Sequence, residues 1–78
     1  MKPVSEGAIS SFIEERFLSG RKVALDEDLL LTGQIDSLGI VALVAHLEEL
    51  REAPIPAQDV TLENFKTVSA IAAYLNGV

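Results

Sequence analysis

Cysteine is missing from the 78 residues, which removes disulfides, thiolate metal sites and a cysteine nucleophile together. Tryptophan is absent too, and the aromatic residues amount to three Phe and one Tyr. There is a single histidine, His46. With no second histidine and no ligand spacing around it, it reads as a solvated helix residue, and no metal site is expected. Basic residues are scarce: six Lys and Arg stand against twelve Asp and Glu, a formal net charge of −6. Such a field repels phosphate backbones, which argues against nucleic-acid binding, and it favours partners with basic surfaces. No segment approaches the ~18 uninterrupted apolar residues of a membrane span, and the N-terminal MKPVSEGAIS carries no long apolar run. The expectation is a soluble, untargeted, cytoplasmic chain that stands alone as a monomer.

Length sets a further bound. A chain of 78 residues makes one domain, residues 1–78, near the size (~70 to 80 residues) at which one apolar core supplies only a few kcal/mol. A conventional enzyme cleft takes several hundred cubic ångströms, and little volume remains once such a chain has packed itself. A binding or carrier module is favoured over an enzyme.

What is present is helical periodicity. Ile9, Phe12, Ile13 and Phe17 recur on one helical face, with Ser5 as N-cap and Ser19-Gly20 as stop, predicting a helix over about residues 5–18. The segment RKVALDEDLLLTGQI has no sustained period and holds an acidic knot at Asp26, Glu27 and Asp28. It reads as a long loop pinned to the core by Val23, Leu25, Leu29, Leu30, Leu31 and Ile35. A second helix runs from about Ser37 to Arg51 and is ended by Pro54-Ile55-Pro56. A short helical turn fits residues 58–63. Thr67 then caps a last helix whose Val68, Ile71, Ala72 and Leu75 form one stripe, with Asn76-Gly77 as its exit. The fold class is therefore all-α, a small four-helix bundle of three longer helices and one short one, with a long loop between helices one and two. Long ordered loops are more often functional than short ones, and this one leads to Gly33–Ser37.

The second helix has more apolar surface than one core needs. At about 100° per residue, Ile40, Leu43, Val44 and Leu47 fall together as the core face. Leu38, Val41, Ala42 and Ala45 gather on nearly the opposite side, followed by the acids Glu48, Glu49 and Glu52. A helix apolar all round is ordinarily a buried one, but a bundle this small has few layers with which to surround it. An exposed apolar patch bordered by charge suits a docking surface, so Leu38, Val41 and Ala45 are expected to be exposed.

Asp36 stands directly before this helix, where its carboxylate can accept from orphan N–H groups and face the positive end of the helix dipole. Ser37 opens the first turn, beside a loop and outside the core. A phosphate attached there would meet the same favourable field. As a capping pair alone, Asp-Ser is an everyday structural feature. A nucleophilic serine would need an adjacent base held by a third group, and His46 is more than two helical turns away.

The run TGQIDSLGIVALVAHLEEL, followed after a Pro-containing loop by IPAQDVTLENFKTVSAIAAYL, resembles the acyl carrier protein family over essentially the whole chain. Asp36-Ser37-Leu38 matches the family's attachment motif in its context of long loop, helix start, the acidic pair Glu48-Glu49, Ile-Pro and Phe65. The resemblance implies that Ser37 receives a covalent 4'-phosphopantetheine arm from coenzyme A through a separate magnesium-dependent phosphopantetheinyl transferase. The arm's thiol would hold cargo as a thioester, and the carrier itself would catalyse nothing. Asp36 would help to present the serine and contact the transferase. Leu38, Val41, Ala42, Ala45, Glu48 and Glu49 would form the surface read by the transferase, a loading ligase and downstream acyl-transfer enzymes.

Fatty-acid carriers usually place an acid just after the triplet and another three positions later, where this chain has Gly39 and Ala42. Thr32-Gly33-Gln34-Ile35 and Gly39 look like those of D-alanyl or other aminoacyl carriers and of dedicated carriers in specialised pathways. The first expectation is an acyl carrier of fatty-acid or specialised-metabolite biosynthesis; the alternative is an aminoacyl or peptidyl carrier loaded by an adenylating ligase. A small acidic adaptor that is never modified would explain the charge and the second stripe, but not the serine.

Overall fold

The structure is a computed structural model, and it describes residues 1–77. Four α-helices form around one core: α1 (Glu6–Phe17), α2 (Ser37–Arg51), α3 (Leu62–Phe65) and α4 (Val68–Asn76), with a 3-10 turn at Ala57–Asp59 between α2 and α3. No strand occurs among the described residues. The four-helix expectation holds, but the short helix predicted over 58–63 is two separate turns. Thr61 divides them: its backbone is extended and its hydroxyl accepts from Asn64 N–H, so it starts a new helix instead of continuing the old one.

Each longer helix begins on a side-chain cap. Ser5 accepts from Ala8 N–H, Asp36 from Gly39 N–H and Thr67 from Ala70 N–H, all from extended backbone. Each supplies an acceptor for one of the four donors that a helix N-terminus leaves unpaired, worth about 1 kcal/mol. The stop after α1 follows from Ser19 and Gly20, both at positive φ.

Ile9 and Ile13 of α1, Leu43 and Leu47 of α2, Phe65 of α3, and Val68 and Ile71 of α4 are all fully buried. The α4 stripe is as expected, with Val68, Ile71, Ala72 and Leu75 buried. On α2 the core line is rotated from the expected one. Gly39, Leu43, Leu47 and Arg51 are its buried residues, while Ile40 and Val44 are half-buried. The rotation follows from how α1 lies on α2. Phe12 stacks on His46 with ring centroids 3.9 Å apart and planes 7° from parallel, and the Phe17 ring covers Gly39. These pairings make the two helices antiparallel. They also correct the reading of His46, which is half-buried under Phe12 and not a solvated residue.

Arg51 is the charged residue of the interior, 6% exposed. It donates to the carbonyls of Ala53 and Pro54, and its guanidinium carbon lies 5.6 Å from the Tyr74 ring centroid. Tyr74 Oη in turn donates to Asp59 Oδ2 at 2.6 Å. Burial, and then the hydrogen bond to the Asp59 carboxylate, raise the Tyr74 pKa and keep the phenol protonated. This polar clasp holds the α2–α3 connection against α4. At the same end, Val4 N–H donates to Asn76 Oδ1 and Asn76 Nδ2 donates to Val4 O, both at 3.0 Å, while Lys2 N–H donates to Arg51 O at 2.7 Å.

Replacing Leu47 or Ile71 with Ala should lower the unfolding free energy by about 2–5 kcal/mol through the cavity left behind, measured by urea denaturation followed by circular dichroism. A change below about 0.5 kcal/mol would show that the chosen side chain does not support the core.

Candidate attachment site and its docking face

Ser37 is brought to the surface by the connection from Leu18 to Asp36. That connection is tied down by its backbone. Leu29 N–H donates to Lys66 O at 2.7 Å, Ser69 N–H to Leu25 O at 3.0 Å and Ile35 N–H to Leu29 O at 3.0 Å. Val23, Leu29 and Ile35 are its buried anchors. Leu25 and Leu31, also expected as anchors, are 44% and 76% exposed. The reason is a turn capped by Asp28, whose Oδ1 accepts from both Leu30 and Leu31 N–H. The chain reverses there and Leu31 faces solvent. Gly33, at φ +78°, makes the next bend in a conformation that other residues adopt only with strain.

Glu27 closes the loop on itself. Its carboxylate accepts from Gln34 Nε2 at 2.6 Å, from Arg21 at 3.0 Å and from Ala24 N–H at 3.3 Å. These hydrogen bonds, that from Gln34 first and that from Arg21 second, lower its pKa to about 2. Composition marked these acids as a knot; the side-chain partners of Glu27, six residues before it and seven after it, were not readable from it.

Asp36 Oδ1 accepts from Gly39 N–H at 2.7 Å, which fixes the first turn of α2 and sets Ser37 on it. Ser37 is exposed and lines a cleft of about 270 Å³ with Leu30, Ile35, Ile40, Val60, Leu62 and Phe65. Val60 and Leu62 were not among the residues singled out from sequence, because nothing local shows that the segment after Pro56 folds back beside the serine. The cleft is open and mainly apolar, and a covalent group on Ser37 has both free solvent and an adjacent shelf.

Leu38 is 81% exposed and Val41 65% exposed; Ala45 is exposed and Ala42 half-buried. The expected exposure of Leu38, Val41 and Ala45 is thus found. An apolar groove of about 400 Å³ continues from Ile40 and Val41 through Ala45 to Ile55 and Val60. The acids below it are unlike one another. Glu48 is half-buried and accepts from Ile55 N–H at 2.7 Å, Glu52 pairs with Lys2 at 2.8 Å, and Glu49 is exposed. No group of three or more potential metal ligands occurs among the described residues. No helix among them is long and apolar enough to cross a membrane.

Comparison with known proteins bears on this arrangement. Residues 14–75 match the family model described as "Phosphopantetheine attachment site". The chain belongs to that family of phosphopantetheine-binding carrier proteins. Its cofactor is covalent 4'-phosphopantetheine, and an exposed hydroxyl on the first turn of a capped helix fits such a group. Among its relatives is the D-alanyl carrier protein of Streptococcus uberis (strain ATCC BAA-854 / 0140J), 37% identical over 87% of this chain and 85% of the relative. The D-alanyl carrier protein of Streptococcus suis (strain 98HAH33) is 33% identical over 81% and 80%. A chain in the solved "Crystal structure of FAD-dependent dehydrogenase" is 31% identical with a TM-score of 0.78, covering 87% of this chain and 99% of that one.

The Glu27 cluster makes a pH prediction. Because the folded pKa lies below the ordinary glutamate value of 4.5, the cluster stabilises the fold above about pH 4.5, and that contribution is lost as pH falls towards 2. Glu27→Gln should melt below the wild type at pH 7, and the gap should close between pH 4.5 and 2 in thermal melts. A gap independent of pH would place the effect elsewhere.

Proposed function

We propose that Ser37 carries the phosphopantetheine arm and that this carrier's cargo is an aminoacyl group, D-alanyl or a close equivalent. What carries the reading is the exposed Ser37 on the Asp36-capped turn of α2, within a chain whose relatives are D-alanyl carriers matched over most of their length. Those relatives favour the aminoacyl alternative over the acyl cargo first expected, and Gly39 and Ala42, in place of the acids of fatty-acid carriers, agree with it.

When bound, the arm supplies the thiol that a chain without cysteine lacks, so that cargo is held as a thioester. The chain's residues position and present. Asp36 holds the first turn in register through Gly39 N–H. Free N–H groups and the dipole of α2 favour the phosphate on Ser37. Leu38, Val41, Ala42 and Ala45 offer the apolar part of a partner contact, and Glu49 offers exposed charge at its lower edge, with Glu48 bracing the loop behind it. A small apolar contact with salt-screened charge forms and releases quickly, as a shuttle requires. The carrier catalyses nothing itself. Its partners are a phosphopantetheinyl transferase, an adenylating ligase and the enzyme that accepts the cargo, all meeting it as a monomer in the cytoplasm.

The likeness to a chain in the structure of a FAD-dependent dehydrogenase supports a second reading, in which a flavoenzyme oxidises the cargo while it is tethered. Loss of two hydrogens from the loaded cargo, seen by intact mass with such an enzyme, would favour it.

Incubation with coenzyme A, magnesium and a broad-specificity transferase should add one phosphopantetheine to the wild type and none to Ser37→Ala, read by intact mass. Adding D-alanine, ATP and a streptococcal D-alanine-adenylating ligase should then add one alanyl group. Equal mass gains for wild type and Ser37→Ala would defeat the attachment assignment. Val41→Glu should melt within a few degrees of the wild type yet slow loading at least about tenfold; a collapsed melting temperature would place Val41 in the core.

A further inference from the structure

Position 39 is a buried glycine next to the candidate attachment serine. A Cβ there would lie 2.9 Å from Phe17 Cε1, 2.9 Å from Ile35 Cγ2 and 3.3 Å from Asp36 Oδ1. No side chain can stand on the first turn of α2 at this point unless both the Phe17 ring and the Ile35 methyl give way. The Arg16 guanidinium carbon lies 5.6 Å from the centroid of that same ring, and Arg16 is exposed. The Asp36 carboxylate is engaged by the cap, and α2 has no other acid before Glu48. The net charge of −6 is therefore not what a partner meets beside Ser37. Apart from the capping Asp36, itself exposed, it meets leucine, an aromatic edge and a cation, with the acids of α2 more than two turns away.

We propose that the Arg16–Phe17 pair seated on Gly39 is a specificity determinant, which turns away enzymes that offer a cationic face to the attachment end of α2 and admits those that offer an apolar one. The proposal rests on the assignment of Ser37 as attachment residue. Phe17 acts by position, keeping residue 39 bare. Arg16 acts by charge, opposing a cationic face where a carboxylate would have attracted it.

The test is a gain of function. The probe is a phosphopantetheinyl transferase that serves an acidic fatty-acid carrier, with coenzyme A and magnesium, assayed at low salt. Arg16→Glu should lower the KM for the carrier at least about fivefold. The double variant Gly39→Asp with Phe17→Ala should lower it further, with kcat changed less than KM, and both gains should shrink at high ionic strength. Gly39→Asp alone should melt well below the wild type, and adding Phe17→Ala should recover part of that loss, since the contact with the ring is then relieved while that with Ile35 stays. KM values within twofold of the wild type for both Arg16→Glu and the double variant would overturn the proposal, as would a Gly39→Asp protein that melts like the wild type. Failure of the attachment assignment looks different: the broad-specificity transferase would then add no mass to Ser37 of the wild type.

Discussion

Leu29 is the point on which the working end of this molecule depends. Its side chain is fully buried, its N–H donates to Lys66 O between α3 and α4, and its carbonyl accepts from Ile35 N–H. One residue thus joins the long connection to the far side of the bundle and to its own final strand of chain before α2. A loop of this length would otherwise sample many conformations at a conformational entropy cost of roughly 1–2 kcal/mol per ordered residue. Tied at Leu29 and gathered by Glu27 and Asp28, it delivers Asp36 to the start of α2 in one geometry. The cap, the exposed serine and the cleft beside it all follow from that delivery.

The opposite side of the cleft depends on a second set of constraints. Arg51, Tyr74 and Asp59 hold the chain after α2 against α4, and Glu48 closes the turn by accepting from Ile55 N–H. Asn64 Nδ2 reaches back to Asp59 O at 2.9 Å. Val60 and Leu62 are in this way placed across from Ile40 and Ser37. Groups that read as surface charge when taken residue by residue are in part the scaffold of an apolar groove, with Glu48 and Asp59 turned to the chain's own donors.

Much of this was legible in the sequence, for a physical reason. Caps and stripes are local, so Ser5, Asp36 and Thr67 and the α4 stripe of Val68, Ile71, Ala72 and Leu75 were read at their observed places. Asp36 and Ser37 stood out through the resemblance of the Asp36-Ser37-Leu38 run and its context to a carrier's attachment motif, since as a capping pair alone they are an everyday feature. What escaped was set by distant partners. Gly39 is buried because Phe17 arrives from another helix. Arg51 is buried because carbonyls two and three residues on turn back to meet it. His46 finds Phe12, and Leu31 is turned outward by Asp28. Residue type predicts the opposite for Arg51, His46 and Leu31, and only the packed chain decides.

The reciprocal hydrogen bonds between Val4 and Asn76, with Lys2 joined to Arg51 O, gather the segment before α1 and the last turn of α4 at the pole where α2 finishes. A helix of 15 residues puts that pole about 21 Å from Ser37. Strain introduced at that junction therefore has the length of α2 to cross before it reaches the serine.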